Sequence, residues 1–175
     1  TTNYIHGFPF FFFFFALEIE GEIKLGVVYD PLFDELFQAE TGKGAFLNGN
    51  RISVSRMKDL DLSFLTTGFP YDVRKHADFY LRFFRQFMMK SIAIRRPGSA
   101  ALDLCYVAAG RFDGYWELKI HPWDVAAGSL MVTEAGGKVT NFQNRPFSIY
   151  DEEIIASNGW IHEEMLRVIQ EVHQT

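Results

Sequence analysis

Hydrophobic positions in the first 60 residues fall in short runs cut by turn residues, the pattern of antiparallel strands. Residues 10–19 predict a strand, and Glu20-Gly21-Glu22 a turn into a second strand over 23–29. Asp30-Pro31 stops that strand, because proline removes a backbone donor and aspartate favours a turn. A third strand is expected over 35–40. Two short ones, 45–47 and 51–54, flank Asn48-Gly49-Asn50, and Asn-Gly between short strands is a strong hairpin signal.

After a polar connector at 57–61 the period changes. Residues 63–67 read as a strand ending at Gly68-Phe69-Pro70. Residues 78–89 carry Tyr80, Phe83, Phe84, Phe87 and Met88 at helical spacing. A strand at 91–94 follows. A mostly apolar helix over 99–109 is closed by Gly110, a strand covers 114–118, and a second apolar helix over 124–135 is closed by Gly136-Gly137. Strands at 138–142 and 154–156 precede a last helix over 161–172. Strands alternating with helices indicate the α/β class. The expected architecture is the remainder of an antiparallel-sheet lobe over 1–60, joined to an α/β lobe over 61–175 with a mainly parallel sheet.

Composition narrows the function. A net charge of -5 with dispersed lysine and arginine argues against a nucleic-acid partner, which needs a basic face. A small anionic ligand is still compatible with a locally positive site. The apolar stretch 8–17, with six consecutive phenylalanines at 10–15, is too short for a membrane helix and has no basic flank, so it reads as a buried strand. Cys105, the single cysteine, lies in an apolar run and reads as a small core residue. A lone thiol suits a reducing, cytoplasmic setting.

Four segments could carry chemistry. Asp124, in Trp123-Asp124-Val125-Ala126-Ala127-Gly128, opens a helix. It reads either as an N-cap or as an oxygen ligand for a hard cation such as Mg²⁺. In Arg95-Arg96-Pro97-Gly98-Ser99-Ala100-Ala101 a helix starts behind two arginines. This is either a capped helix with a solvated basic turn or a seat for an anion or a hydroxyl-rich ligand. Asp113, Glu117 and His121 flank a strand end, where sites of α/β proteins gather. The opening Thr1-Thr2-Asn3 is a polar turn whose hydroxyls could meet phosphate.

Together these segments resemble the inositol monophosphatase family. That family shows Asp-Pro-hydrophobic-Asp-Gly-Thr-Thr-Asn followed by Gly-Phe-Pro, and here Thr1-Thr2-Asn3 and Gly7-Phe8-Pro9 match. Its second signature matches 123–137, from Trp123-Asp124 to Glu134-Ala135-Gly136-Gly137. Residues 26–31, 44–49 and 98–101 are also similar to it, so the resemblance covers essentially the whole chain. It implies a Mg²⁺-dependent phosphomonoesterase acting on a phosphorylated polyol or sugar by in-line attack of a metal-activated water. The protein would be a cytoplasmic homodimer with no nucleic-acid or membrane partner. By position, Asp124 would bind metal and be catalytic, and Thr1 would orient the water. Thr2 would contact phosphate, and Gly98, Ser99, Ala100 and Glu117 would meet the polyol hydroxyls. Alternatives within the superfamily are fructose-1,6-bisphosphatase and nucleotide 3′-phosphatase activity; outside catalysis, an interaction protein or a structural fragment. The family's upstream glutamate and the two aspartates of its first motif have no counterpart ahead of Thr1. The resemblance therefore implies an N-terminally truncated member with little phosphatase activity as written.

Overall fold

The computed structural model describes residues 2–173. A short helix α1 (Thr2–Ile5) leads to five antiparallel strands, β1 (Phe13–Ile19), β2 (Glu22–Asp30), β3 (Glu35–Glu40), β4 (Gly44–Leu47) and β5 (Asn50–Arg51), paired in chain order. Asn48 and Gly49 both have positive φ, 49° and 77°, which is what a tight hairpin between β4 and β5 requires. The second half contributes β6 (Phe64–Thr67), α2 (Ala77–Met89), β7 (Ala93–Arg95), α3 (Ala100–Ala108), β8 (Gly114–Leu118), α4 (Pro122–Glu134), β9 (Lys138–Thr140), β10 (Glu153–Ser157) and α5 (His162–His173). The strand order of this sheet is β7-β6-β8-β10-β9.

The α/β class holds, with one change to the second sheet. β6 pairs in parallel with β7 and β8, whereas β10 runs antiparallel to β8 and β9. The sheet is therefore mixed rather than mainly parallel. Alternation of helices and strands shows that connections cross a layer, but not from which end the chain re-enters the sheet.

The layers follow from which faces are apolar. On the first sheet Val28, Phe37, Ala39 and Ala45 form one core with Leu102, Leu104 and Val107 of α3 and Val125, Ala127 and Met131 of α4. The same core takes in Tyr115, Ile154 and Ala156 of the second sheet, so α3 and α4 fill the space between the sheets. On the far side of the second sheet Leu65, Trp116 and Ile155 pack with Phe83 and Phe87 of α2 and Met165 and Ile169 of α5. Phe87 stacks on Trp116 at 4.0 Å between ring centroids.

The phenylalanine tract departs from expectation. Its strand begins at Phe13, not Phe10, and is largely exposed: Phe13 at 66%, Phe15 at 54%. β1 is an edge strand, and these alternate side chains point away from α3 and α4, onto a face that no described element covers.

Asp113 precedes β8, at the end of that strand opposite Glu117. It accepts from the Ser55 hydroxyl and, at 2.7 Å, from the Phe64 amide, while Asn158 donates to Ser55 at 2.9 Å and to the Met57 carbonyl at 2.8 Å. Asp113 thus pins the connector between the sheets and is not part of a site with Glu117.

His162, fully buried, is held between the Thr140 hydroxyl at Nε2 and the Ser157 hydroxyl at Nδ1, both at 2.9 Å. Burial, aided by the nearby Lys138 charge, lowers its pKa to about 4 from an ordinary value of 6.5. A lowered histidine stabilises the fold fully above its unfolded pKa, and this contribution is lost as pH falls. The loss should therefore run from about pH 6.5 to about pH 4 and reach about 3 kcal/mol. Urea unfolding across that range should show this acid sensitivity in the wild type and lack it in His162→Gln. Equal slopes in the two proteins would refute it.

Candidate active site

Three chain segments converge where β6 and β8 end and α3 and α4 begin. β8 places Tyr115 and Glu117 on the face toward α3 and α4, because residues two apart on a strand share a face. Tyr115 is fully buried, and its hydroxyl donates to Glu117 Oε2. The Glu117 carboxylate lies across Gly68, where an added Cβ would come within 2.2 Å of Oε2 and 2.3 Å of Oε1. Only a residue without a side chain admits that placement. Burial raises the Glu117 carboxyl to about 7; the Tyr115 hydrogen bond opposes this, the Asp124 charge adds to it, and the Arg96 guanidinium opposes it.

Asp124 is not an N-cap. The cap position is His121, with Pro122 as the first helical residue, so Asp124 sits in the first turn of α4. It occupies the third helical position, as the acidic residue of a capping box does, and the His121 backbone amide favours its charged form. Partial burial raises its pKa, opposed by His121. The His121 ring stacks on Trp123 at 4.8 Å, which fixes the entry to the helix.

The remaining candidates lie around the start of α3. Gly98 has φ 88° and is exposed, Ser99 caps α3 by accepting from the Leu102 amide at 3.4 Å, and Ala100 is the first helical residue. Asn3 of α1 donates to the Phe10 carbonyl at 2.9 Å and the Pro97 carbonyl at 3.4 Å. Its amide nitrogen lies 3.7 Å from where a Gly98 Cβ would stand. Thr2, exposed in the same short helix, is thereby held beside the loop before α3. Thr1 lies outside the described residues.

Sequence reasoning took Gly68 for a strand end only and missed Asp103. A glycine directly after an apolar strand and ahead of Phe69-Pro70 was the available signal for Gly68. Nothing in the apolar run of α3 marked Asp103 beyond its being a carboxylate there. A neighbouring cavity of about 260 Å³, walled by Phe14, Ala16, Ile23, Trp123, Ala126 and Tyr150, is apolar. Glu18 at its edge accepts from Tyr150 at 2.9 Å.

This arrangement can offer hydroxyl and anion recognition at one rim, with a carboxylate at a helix start beside it. The chain belongs to the inositol monophosphatase family, whose family model matches residues 1–174. Among curated proteins it is 44% identical over 166 residues to the Nus factor SuhB of Salmonella typhimurium, covering 95% of this chain and 62% of that protein. To the Nus factor SuhB of Pseudomonas aeruginosa it is 43% identical over 172 residues, covering 97% and 64%. The chain thus spans less than two thirds of the length of these relatives. Among solved structures, inositol monophosphatase from Anabaena (Nostoc) sp. PCC 7120 superposes with a TM-score of 0.94 at 46% identity, covering 98% of this chain and 68% of that one. An IMPase from Thermotoga maritima gives 0.90 at 41% identity, covering 99% and 66%. Among the described residues no helix is long and apolar enough to cross a membrane.

Proposed function

We propose that the protein hydrolyses a phosphate monoester of inositol or a related sugar in a Mg²⁺-dependent reaction. The observation that supports this reading is the Glu117 carboxylate, seated on Gly68 and within electrostatic reach of Asp124 at the start of α4 and of Arg96 beside the Gly98-Ser99-Ala100 turn. Family membership supports it.

Asp124 fits a hard cation as a single ligand: it is a partly buried carboxylate with one cap contact, and Mg²⁺ takes one or two carboxylates beside substrate phosphate. Among the described residues no group of three or more His, Cys, Asp or Glu could hold a metal ion. When bound, Mg²⁺ supplies charge that neutralises phosphate oxygens and acidifies the attacking water. Glu117 accepts from paired hydroxyls of the polyol, Ser99 and the amides at the start of α3 orient it, and Thr2 contacts the phosphate, with Thr1 assigned by the family motif to orient the water. With one carboxylate toward the metal, the 175-residue chain alone should show little turnover.

The test is Mg²⁺-dependent phosphate release by the whole protein from inositol 1-phosphate, fructose 1,6-bisphosphate and a nucleoside 3′-phosphate. Preference for the first is expected; no release from any of them refutes the reading. An ionised carboxylate is acceptor-only. Because Glu117 titrates near 7, affinity for inositol 1-phosphate should rise between about pH 6 and pH 8. Glu117→Gln should weaken binding and flatten that rise, and a rise unchanged in the variant would remove Glu117 from the site.

The relatives' name, Nus factor, favours a second reading, a non-catalytic interaction protein. Absence of phosphate release with every substrate is the result that would move weight to it. A cytoplasmic homodimer belongs to the first proposal, and sedimentation of the whole protein tests the dimer.

A further inference from the structure

Asp103 is the one residue among those described with both carboxylate oxygens buried and without a hydrogen-bond partner. Its solvent exposure is 0%. It lies in the first turn of α3, where its amide bonds to the Ser99 carbonyl at 2.9 Å. The helix packs against β6 and β8, whose Thr66 and Tyr115 are register partners on the face toward it. The Thr66 hydroxyl is close to Asp103 but is directed to the Arg95 carbonyl at 3.3 Å, a long contact. Tyr115 in turn donates to Glu117. Asp103 therefore sits behind the hydroxyl-binding wall, one layer deeper than Ser99 and Glu117.

A buried carboxyl without partners opposes folding, and an apolar side chain of similar size would fill the same space without that cost. Departures of this kind from a consistent core gather at functional sites. Burial raises the Asp103 carboxyl well above the ordinary range, opposed by Thr66 and Arg96 and reinforced by Glu117. Burial without a partner disfavours the charged form of this carboxyl, and its protonated form both donates and accepts.

We propose that Asp103 is a positioning residue of the hydroxyl-binding wall, which acts through the neighbouring Thr66 hydroxyl to set the start of α3 against the Thr66–Tyr115–Glu117 face and so fixes where a polyol docks. The inference rests on the phosphatase reading of that wall. A neutral acid matches asparagine in shape and in having both a donor and an acceptor, whereas leucine matches it in volume alone. The two substitutions therefore separate chemistry from packing.

The experiment compares wild type, Asp103→Asn and Asp103→Leu in the whole protein. It uses urea unfolding, the backbone amide resonances of Gly68 and Glu117, and calorimetric titration with inositol 1-phosphate in the presence of Mg²⁺. Asp103→Leu should unfold at the same or higher urea concentration, shift both resonances, and bind about tenfold more weakly. Asp103→Asn should restore the resonances and the affinity. If Asp103→Leu keeps wild-type resonances and affinity, or if it loses stability and binding together with no rescue by Asp103→Asn, the proposal is overturned. If the wild type itself does not bind inositol 1-phosphate, the phosphatase reading fails. The resonances of Gly68 and Glu117 then decide: shifts in Asp103→Leu with recovery in Asp103→Asn support the positioning role, and their absence ends it.

Discussion

Replacing Gly26 by valine should cost this fold more stability than any other single change considered. A Cβ at Gly26 would stand 2.9 Å from Ala127 Cα and 2.9 Å from the Ala127 carbonyl oxygen, both backbone atoms of α4. Backbone in the middle of a buried helix cannot swing aside as the end of a side chain can. Overpacking a filled core costs about 1–3 kcal/mol. Gly26→Ala should fall in that range and Gly26→Val above it, read as the loss in unfolding free energy in urea. The effect should also reach the site. Ala127 is less than one helical turn from Asp124, so a displaced α4 carries that carboxylate away from Glu117. Residual folded Gly26→Ala should therefore bind inositol 1-phosphate with Mg²⁺ more weakly than wild type. A wild-type unfolding midpoint in Gly26→Ala would show that β2 and α4 are not in the close contact described.

Asp124→Asn should abolish most Mg²⁺-dependent phosphate release by the whole protein while leaving the fold almost intact. The substitution keeps an oxygen that can accept from the His121 amide, so the helix start survives and the stability loss should stay below about 1 kcal/mol. It removes the charge that a hard cation requires. Loss of a charge-stabilising group at a reacting centre costs on the order of 10²–10³ in rate. The measurements are initial rates over a Mg²⁺ series together with urea unfolding of the same preparation. If turnover and the Mg²⁺ response persist in Asp124→Asn, the residue serves the helix start alone. If turnover falls only in step with stability, the helix start accounts for the loss and the metal role is refuted.

How far the chain could be read in advance differs between elements. β3 and β8 match expectation to the residue, because each is a short alternating or apolar run bounded by clear turn signals. The predicted start of α4 lies two residues late, since Asp124 imitates a cap that His121 and Pro122 provide. The tract at 10–15 misled by composition, because apolar residues suggest burial only when some element covers them, and β1 turns alternate phenylalanines to the open face of an edge.

The sequence by itself determined the class of the fold, its strands, the helices α2 to α5 (α1 reads as a turn) and, through two separated signatures, the family. These depend on local period, turn chemistry and residue order, all of which are properties of neighbouring positions. Only the tertiary structure decided which carboxylates lie near one another. It tied Asp113, at the start of β8, into a structural network with Ser55 and the Phe64 amide. It seated Glu117 across Gly68, 49 positions away in the chain, and put the partnerless Asp103 behind it. Such placements come from strand register and helix packing between distant segments, and burial and close approach have no local signature in the chain.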